Sequence, residues 1–255
     1  MTRKAVLVTG GAARIGGSIA RAFAEAGWHV VIHYRDSSDE ADALAAELPS
    51  AETVCCDLSD TGAGVSMIED LAERLDDWPV LVNNASVFEW DDVTALDVDT
   101  NRQAMQVNAV SPARMAQAFL AKARSKGGRR VIQVTDQKLR NSNPDFFSYT
   151  MSKHALDATI EMLAMGAAGP QDRVYGLAPG AILASHDQSD DEAEVSHRLN
   201  LLGRRTGADE IADAALFLAT GALASGETLF VDSGQHLLRQ PRDVIYLARN
   251  TEAAT

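Results

Sequence analysis

The strongest constraint on the fold is a regular alternation of short apolar runs with longer amphipathic segments. The apolar runs are residues 5–9 (AVLVT), 28–34 (WHVVIHY), 52–56 (ETVCC), 79–83 (PVLVN), 130–135 (RVIQVT), 173–178 and 227–231. Each is short and bounded by Gly, Pro or polar residues, as strands are. Between them the spacing predicts helices over 15–26, 39–48, 64–75, 99–125, 147–168 and 208–219, with a short helix in an acidic loop before the last. Ile15, Ile19, Ala20 and Phe23 share one face of the first helix, and Gly27 stops it. Strands separated by helices form a parallel sheet covered on both faces. Right-handed crossovers then give a single α/β domain, doubly wound and Rossmann-type, with about seven strands. The 255 residues suffice for one such domain, expected over 1–238. The tail 239–255 is expected to be loose or to pack on a neighbouring subunit.

Charge narrows the function. The chain has 36 acidic and 23 basic residues, a formal net charge of −13. That excludes a general nucleic-acid-binding face, and any anionic cofactor must be held by locally placed cations. The acidic stretches Asp36 to Glu47 and Asp187 to Glu194 read as solvated faces and loops. No apolar run reaches the ~20 residues that span a bilayer. The first strand follows the N-terminus directly, so a cytoplasmic protein without a signal segment is expected. Cys55 and Cys56 are adjacent and read as reduced thiols at a strand end. His29, His154, His186 and His197 have no metal-ligand spacing, and no metal is expected.

Three motifs carry chemistry. Thr9-Gly10-Gly11-Ala12-Ala13-Arg14-Ile15-Gly16 follows the first strand and opens the first helix. Gly10 and Gly16 allow a tight turn that brings a pyrophosphate to the helix N-terminus. Tyr149 and Lys153 stand four apart on a predicted helix and share a face. An ammonium beside a phenol is expected to lower its pKa from about 10. Asp136 lies upstream, at the end of the fifth strand, and Asn83-Asn84-Ala85-Ser86 closes the fourth.

Together these motifs resemble the short-chain dehydrogenase/reductase family over essentially the whole chain. The resemblance places Tyr149 as general acid, with Lys153, Asn108 and Asp136 completing a proton relay. Lys153 would also bind the nicotinamide ribose. A serine usually lies where Asp136 does, and Arg14 stands in place of the middle glycine. Asp57 and Leu58 would meet the adenine, Asn83-Asn84-Ala85 would run along the ribose, and Pro179-Gly180 would meet the nicotinamide. At the end of the second strand, His33, Tyr34, Arg35, Asp36 and Ser37 bear on cofactor choice. Arg35, Ser37 and Arg14 favour the extra phosphate of NADPH, whereas Asp36 favours NADH unless it points to solvent. NADPH is the expected cofactor.

Arg14, His33-Tyr34, Asn84-Ala85-Ser86-Val87-Phe88, Asp136 and Tyr149-Thr150-Met151-Ser152-Lys153 look like the pteridine reductases. Val134-Thr135-Asp136, Ala178-Pro179 with Ile182-Leu183, and Val231 to Leu237 look like the bacterial dihydromonapterin reductases of that subgroup. The resemblance implies that Phe88 stacks on a pterin. Arg14 and Ser86 would bond its polar edge, with Asp136 and Tyr149 at the reacting end. Trp90, Phe146 and Phe147 are further pocket candidates. The loop from His186 to Arg198 is expected to close over the substrate. The expected activity is reduction of a dihydropterin, with carbonyl or 3-oxoacyl reduction, or a non-catalytic dinucleotide sensor, as alternatives. A homotetramer is expected from the family.

Overall fold

The structure, a computed structural model, describes residues 3–184 and 188–252. Among these, the apolar runs become seven strands: β1 (Ala5–Val8), β2 (His29–Tyr34), β3 (Ala51–Cys55), β4 (Val80–Asn83), β5 (Arg130–Val134), β6 (Arg173–Pro179) and β7 (Thr228–Val231). They form one parallel sheet in the order β3-β2-β1-β4-β5-β6-β7. The strand positions agree with the sequence reading to within a residue or two.

Alternate strand residues feed two cores. Val6, Val8, Val30, Ile32, Val80 and Val82 face α1 (Arg14–Glu25), α2 (Ser38–Glu47) and α8 (Ala208–Thr220). Ala5, Leu7, Val31, Leu81 and Val131 face α3 (Ala63–Arg74), α5 (Ser111–Lys122) and α6 (Phe147–Gly166). Ile19, Ala20 and Phe23 are fully buried on the predicted face of α1, and Phe23 meets Trp28 edge-on at 5.2 Å. Each such Ile or Phe stabilises the fold by about 1.5–3 kcal/mol. Cys55 is exposed and Cys56 buried, both as free thiols. No helix among the described residues is long and apolar enough to cross a membrane.

Two segments differ from expectation. The predicted helix 99–125 is α4 (Val98–Met105), a π-helical turn at Gln106–Val110, and α5. The wider turn leaves the apolar periodicity almost untouched, which is why the pattern reads as one helix, and π turns concentrate at functional sites. The C-terminal tail contains a helix of its own, α9 (Val244–Glu252), which packs on α7 (Asp190–Ser196) of the same chain. Residues 185–187, including His186 and Asp187, lie outside the described residues, so the acidic loop is seen from Gln188 onward.

Candidate active site

The connections from β1 and β4 leave the sheet in opposite directions, and a crevice opens at the carboxyl ends of this neighbouring pair. A cavity of ≈510 Å³ lies there, lined by Gly10, Arg14, Ile15, Gly16, His33, Tyr34, Arg35, Asp36, Ser37, Asp57, Leu58, Asn84, Ala85, Ser86, Phe88 and Tyr149 among others. Most of the residues predicted to hold a dinucleotide thus share one surface. Gly10 has φ +59°, and a Cβ on Gly16 would stand 2.0 Å from the Gly10 carbonyl oxygen. Only glycine fits at Gly16, which leaves the helix N-terminus open to a phosphate. Gly16→Ala is expected to weaken dinucleotide binding by roughly tenfold or more, since overpacking costs about 1–3 kcal/mol. A fluorescence titration checks this, and unchanged affinity would place the phosphates elsewhere.

The turn is held from behind. The Thr9 hydroxyl oxygen accepts from the backbone N–H of Asn84 (2.9 Å) and of Ala85 (3.0 Å), while Asn84 Nδ2 donates to the Thr9 carbonyl. His33 Nδ1 accepts from the Gly10 N–H at 3.1 Å, and its Nε2 bonds the Cys56 carbonyl at 2.9 Å. Burial pushes its pKa down to about 4. The neutral ring is therefore assigned its proton on Nε2. His33 lines the cavity as predicted, but both ring nitrogens are engaged in shaping the glycine turn. Arg35 pairs with Asp36 at 2.6 Å at the cavity mouth, and the Asp36 side chain is 74% exposed. Asp36 is thus solvated but still lines the cavity, with its carboxylate engaging the Arg35 guanidinium.

A second cavity of ≈400 Å³ adjoins the first and shares Arg14, Ile15, Ser86 and Phe88 with it. It is completed by Asp136, Gln137, Lys138, Gly180, Ile182, Leu183, His197, Val244 and Ile245, among others. Gly180 was expected beside the cofactor and lines this second cavity, while Pro179 is a buried strand residue. Arg14 is left-handed (φ 55°), a conformation that costs a non-glycine residue about 1–2 kcal/mol. Its Nη2 reaches the Ala184 carbonyl at 3.1 Å, so the side chain crosses the seam between the cavities. Phe88 stacks on Phe146 (4.1 Å, 25°) and meets Tyr149 edge-on (4.7 Å). Phe146 thus supports Phe88 from behind, while Trp90 is exposed and lines neither cavity.

At the seam, Tyr149 Oη donates to Asp136 Oδ2 at 2.7 Å, and Asp136 Oδ1 accepts from the Lys138 N–H at 2.8 Å. Tyr149 lines the first cavity and Asp136 the second. Burial raises the Asp136 pKa above the usual carboxylate value, with Lys138 opposing it. Burial and the Asp136 carboxylate push the Tyr149 phenol well above its usual value. This corrects the expectation that Lys153 lowers it. The Lys153 ammonium sits 5.6 Å from the tyrosine ring centre, donates to the Val134 carbonyl at 2.9 Å, and is itself held down at about 8 by burial. Lys153 stands behind the cavities rather than in their lining.

Asn108 lies in the π turn and is fully engaged. Its Oδ1 accepts from the Val87 N–H (2.8 Å) and the Ser86 hydroxyl (3.1 Å). Its Nδ2 donates to the Val87 carbonyl (2.9 Å) and to Ser152 (3.0 Å). The side chain pins the Ser86–Phe88 loop to α6. Among the described residues, no group of three or more His, Cys, Asp or Glu is placed to hold a metal ion. Gln188, Ser196 and His197, from the loop expected over the substrate, line the second cavity, and the sequence reading missed Lys138, Asp243, Val244 and Ile245 as cavity residues. Their only local signal is the placement of Lys138 two residues after Asp136.

The family model described as Enoyl-(Acyl carrier protein) reductase matches residues 10–236. Pteridine reductase 1 of Leishmania tarentolae is 28% identical over 93% of this chain and 98% of its own length. The crystal structure of FolM alternative dihydrofolate reductase 1 from Brucella canis, complexed with NADP, superposes with a TM-score of 0.87 at 32% identity, covering 94% of this chain and 96% of that one. The angucycline C-6 ketoreductase LanV with bound NADP superposes with a TM-score of 0.83 at 28% identity, covering 92% and 96%. With this match along nearly all its length, the chain belongs to the short-chain dehydrogenase/reductase family of oxidoreductases and resembles its pteridine reductases and FolM proteins.

Proposed function

We propose that this protein is an NADPH-dependent reductase of a dihydropterin, giving the tetrahydro form. The observation that carries this reading is Asp136, bonded to Tyr149 Oη at 2.7 Å and opening on a cavity walled by Phe88. A hydroxyl at this position can only steady a carbonyl oxygen. A carboxyl with a raised pKa can hand a proton to a ring nitrogen. Phe88, backed by Phe146, offers a flat face to a flat heterocycle.

The glycine turn fits a pyrophosphate, and Arg14, Arg35 and Ser37 surround the place for an adenosine 2′-phosphate and the neighbouring phosphates. Bound NADPH supplies the hydride. Asp136 gives its proton to the substrate nitrogen, the Tyr149 hydroxyl steadies the carboxylate left behind through the 2.7 Å hydrogen bond, and solvent reaching the cavity restores the proton. Lys153, buried behind the pair with its ammonium 5.6 Å from the Tyr149 ring centre, favours the Asp136 carboxylate formed in that step. Asn108 holds Ser86 and Phe88 at the substrate's edge and face. The FolM protein of Brucella canis and the Leishmania reductase support the pterin reading by their likeness along the whole chain.

The test is NADPH oxidation with dihydrobiopterin, dihydromonapterin, dihydrofolate and acetoacetyl thioester. Turnover of a dihydropterin is expected. Turnover of the thioester alone would overturn the reading in favour of carbonyl reduction, the chemistry of the similar ketoreductase LanV. Arg14→Ala and Arg35→Ala are each expected to weaken NADPH more than NADH, by about tenfold, because charge-assisted bonds to the extra phosphate serve NADPH only. Equal losses for both cofactors, read by binding titration, would contradict this assignment.

A further inference from the structure

One wall of the substrate cavity comes from none of the motifs. Val244 and Ile245 line it, and Ile245 packs with Phe146 and Tyr149. The segment that presents them is tied to the loop after β5 at three points. Gln240 N–H donates to Asn141 Oδ1 (3.1 Å), and Asn141 Nδ2 donates to Gln240 Oε1 (3.0 Å). Arg242 grips the Asp145 carboxylate through Nε (2.8 Å) and Nη2 (2.7 Å), and the Asp243 N–H donates to the same carboxylate at 2.8 Å. Finally Lys138 Nζ meets Asp243 Oδ2 at 2.7 Å and donates to Asn143 Oδ1 at 3.1 Å.

The Lys138 and Asp243 side chains are only 4% and 8% exposed. A buried ion pair is a poor stabiliser, because apolar residues of similar size often serve the fold as well or better. Its location supplies the reason for it. Lys138 joins the two segments: its backbone N–H holds Asp136 Oδ1, and its ammonium holds Asp243. We propose that Lys138 and Asp243 are positioning residues for Asp136, coupling the C-terminal segment to the carboxyl and fixing both its aim at Tyr149 and the electric field it sits in. The inference rests on the reading of Asp136 as the group that protonates the substrate.

The surroundings of Asp136 agree. Burial favours its neutral form, and the Lys138 ammonium is the largest influence against that, followed by the Lys138 N–H. Tyr149 and Lys153 face it from α6, and Arg14 and His197 line the same cavity. Asp243 pushes the Tyr149 phenol upward. Removing the cation leaves Asp243 uncompensated and favours protonated Asp136. Removing the anion leaves Lys138 uncompensated and favours the carboxylate. Opposite charges move Asp136 in opposite directions whatever else they do, so the rate must follow the midpoint in each variant for the pair to be a positioning device.

The test uses the full chain with carbon-13-labelled aspartate, following the Asp136 carboxyl by NMR against pH and assigning it with Asp136→Asn. Lys138→Met is expected to raise the Asp136 midpoint by about one pH unit, and Asp243→Asn to lower it. The alkaline limb of kcat for dihydropterin reduction should follow in each variant. Lys138→Gln repeats the first arm if the methionine variant does not fold. Asp243→Asn alone decides if neither lysine variant folds. Shifts in the same direction, or none, overturn the proposal. Opposite NMR shifts in an enzyme that turns over no pterin would sink the pterin reading and leave the role of the pair standing. Pterin turnover without opposite shifts does the reverse.

Discussion

Tyr149→Phe is expected to lower turnover by ~10²-fold or more, with NADPH affinity nearly unchanged. The reason is geometric. The phenol oxygen is the atom that donates to Asp136 at 2.7 Å, whereas the ring packs against Phe88 and within the cluster of Phe146 and Ile245. Phenylalanine keeps that packing and deletes only the donor. Because Tyr149 is 7% exposed, its replacement by a smaller residue would confuse loss of a proton with loss of packing. Stopped-flow measurement of single-turnover NADPH oxidation separates the chemical step from product release. A Phe variant with near-normal single-turnover rate would remove tyrosine from the mechanism.

The sheet was legible in the sequence because its central strands are buried on both faces. AVLV, VVI and VLV leave no exposed side, so short apolar runs mark them plainly. The glycine turn was legible for a related reason, since Gly10 and Gly16 occupy places where no side chain fits. Tyr149 and Lys153 were legible as neighbours on a helix, but their electrostatics were not. Spacing reports that two groups share a face. It does not report that both are buried, or that a carboxylate from another strand end takes the phenol proton. Burial and Asp136 outweigh the ammonium, so the phenol moves up rather than down.

Long-range partners left no local trace. Asp145 and Arg242 lie 97 positions apart and drew no notice in the sequence, yet their bidentate contact anchors a cavity wall. Lys138 resembled any exposed turn lysine, because its burial comes from Asp243, Asn143 and Phe146 arriving from elsewhere. Likewise His33 lines the cavity as the sequence reading expects, but no spacing announces that its ring nitrogens bond Gly10 and Cys56. Residues that open on the cavities were thus easier to name than residues that hold those residues still.

Asp136→Asn separates a proton-transferring carboxyl from one that merely accepts hydrogen bonds. Asparagine preserves the shape, and its carboxamide oxygen can still accept from Tyr149 Oη or the Lys138 N–H. What it cannot do is take up and release a proton in the working pH range. Burial raises the Asp136 pKa, so the reactive protonated form persists to higher pH than in a solvated aspartate. The rate of pterin reduction should therefore be highest toward acid and decline as pH rises through the Asp136 midpoint. In Asp136→Asn the rate is expected to fall by about 10²-fold, the contribution typical of a positioned acid, and that decline should vanish from the profile. Asp136→Ser, which installs the hydroxyl usual at this position, is expected to lose pterin reduction to a similar degree and to acquire weak ketone reduction. The measurement is kcat against pH for the three enzymes with one dihydropterin and one ketone. An Asn variant with the wild-type rate and an unchanged pH profile would show that Asp136 only orients Tyr149, and the case for a ring nitrogen over a carbonyl would fall with it.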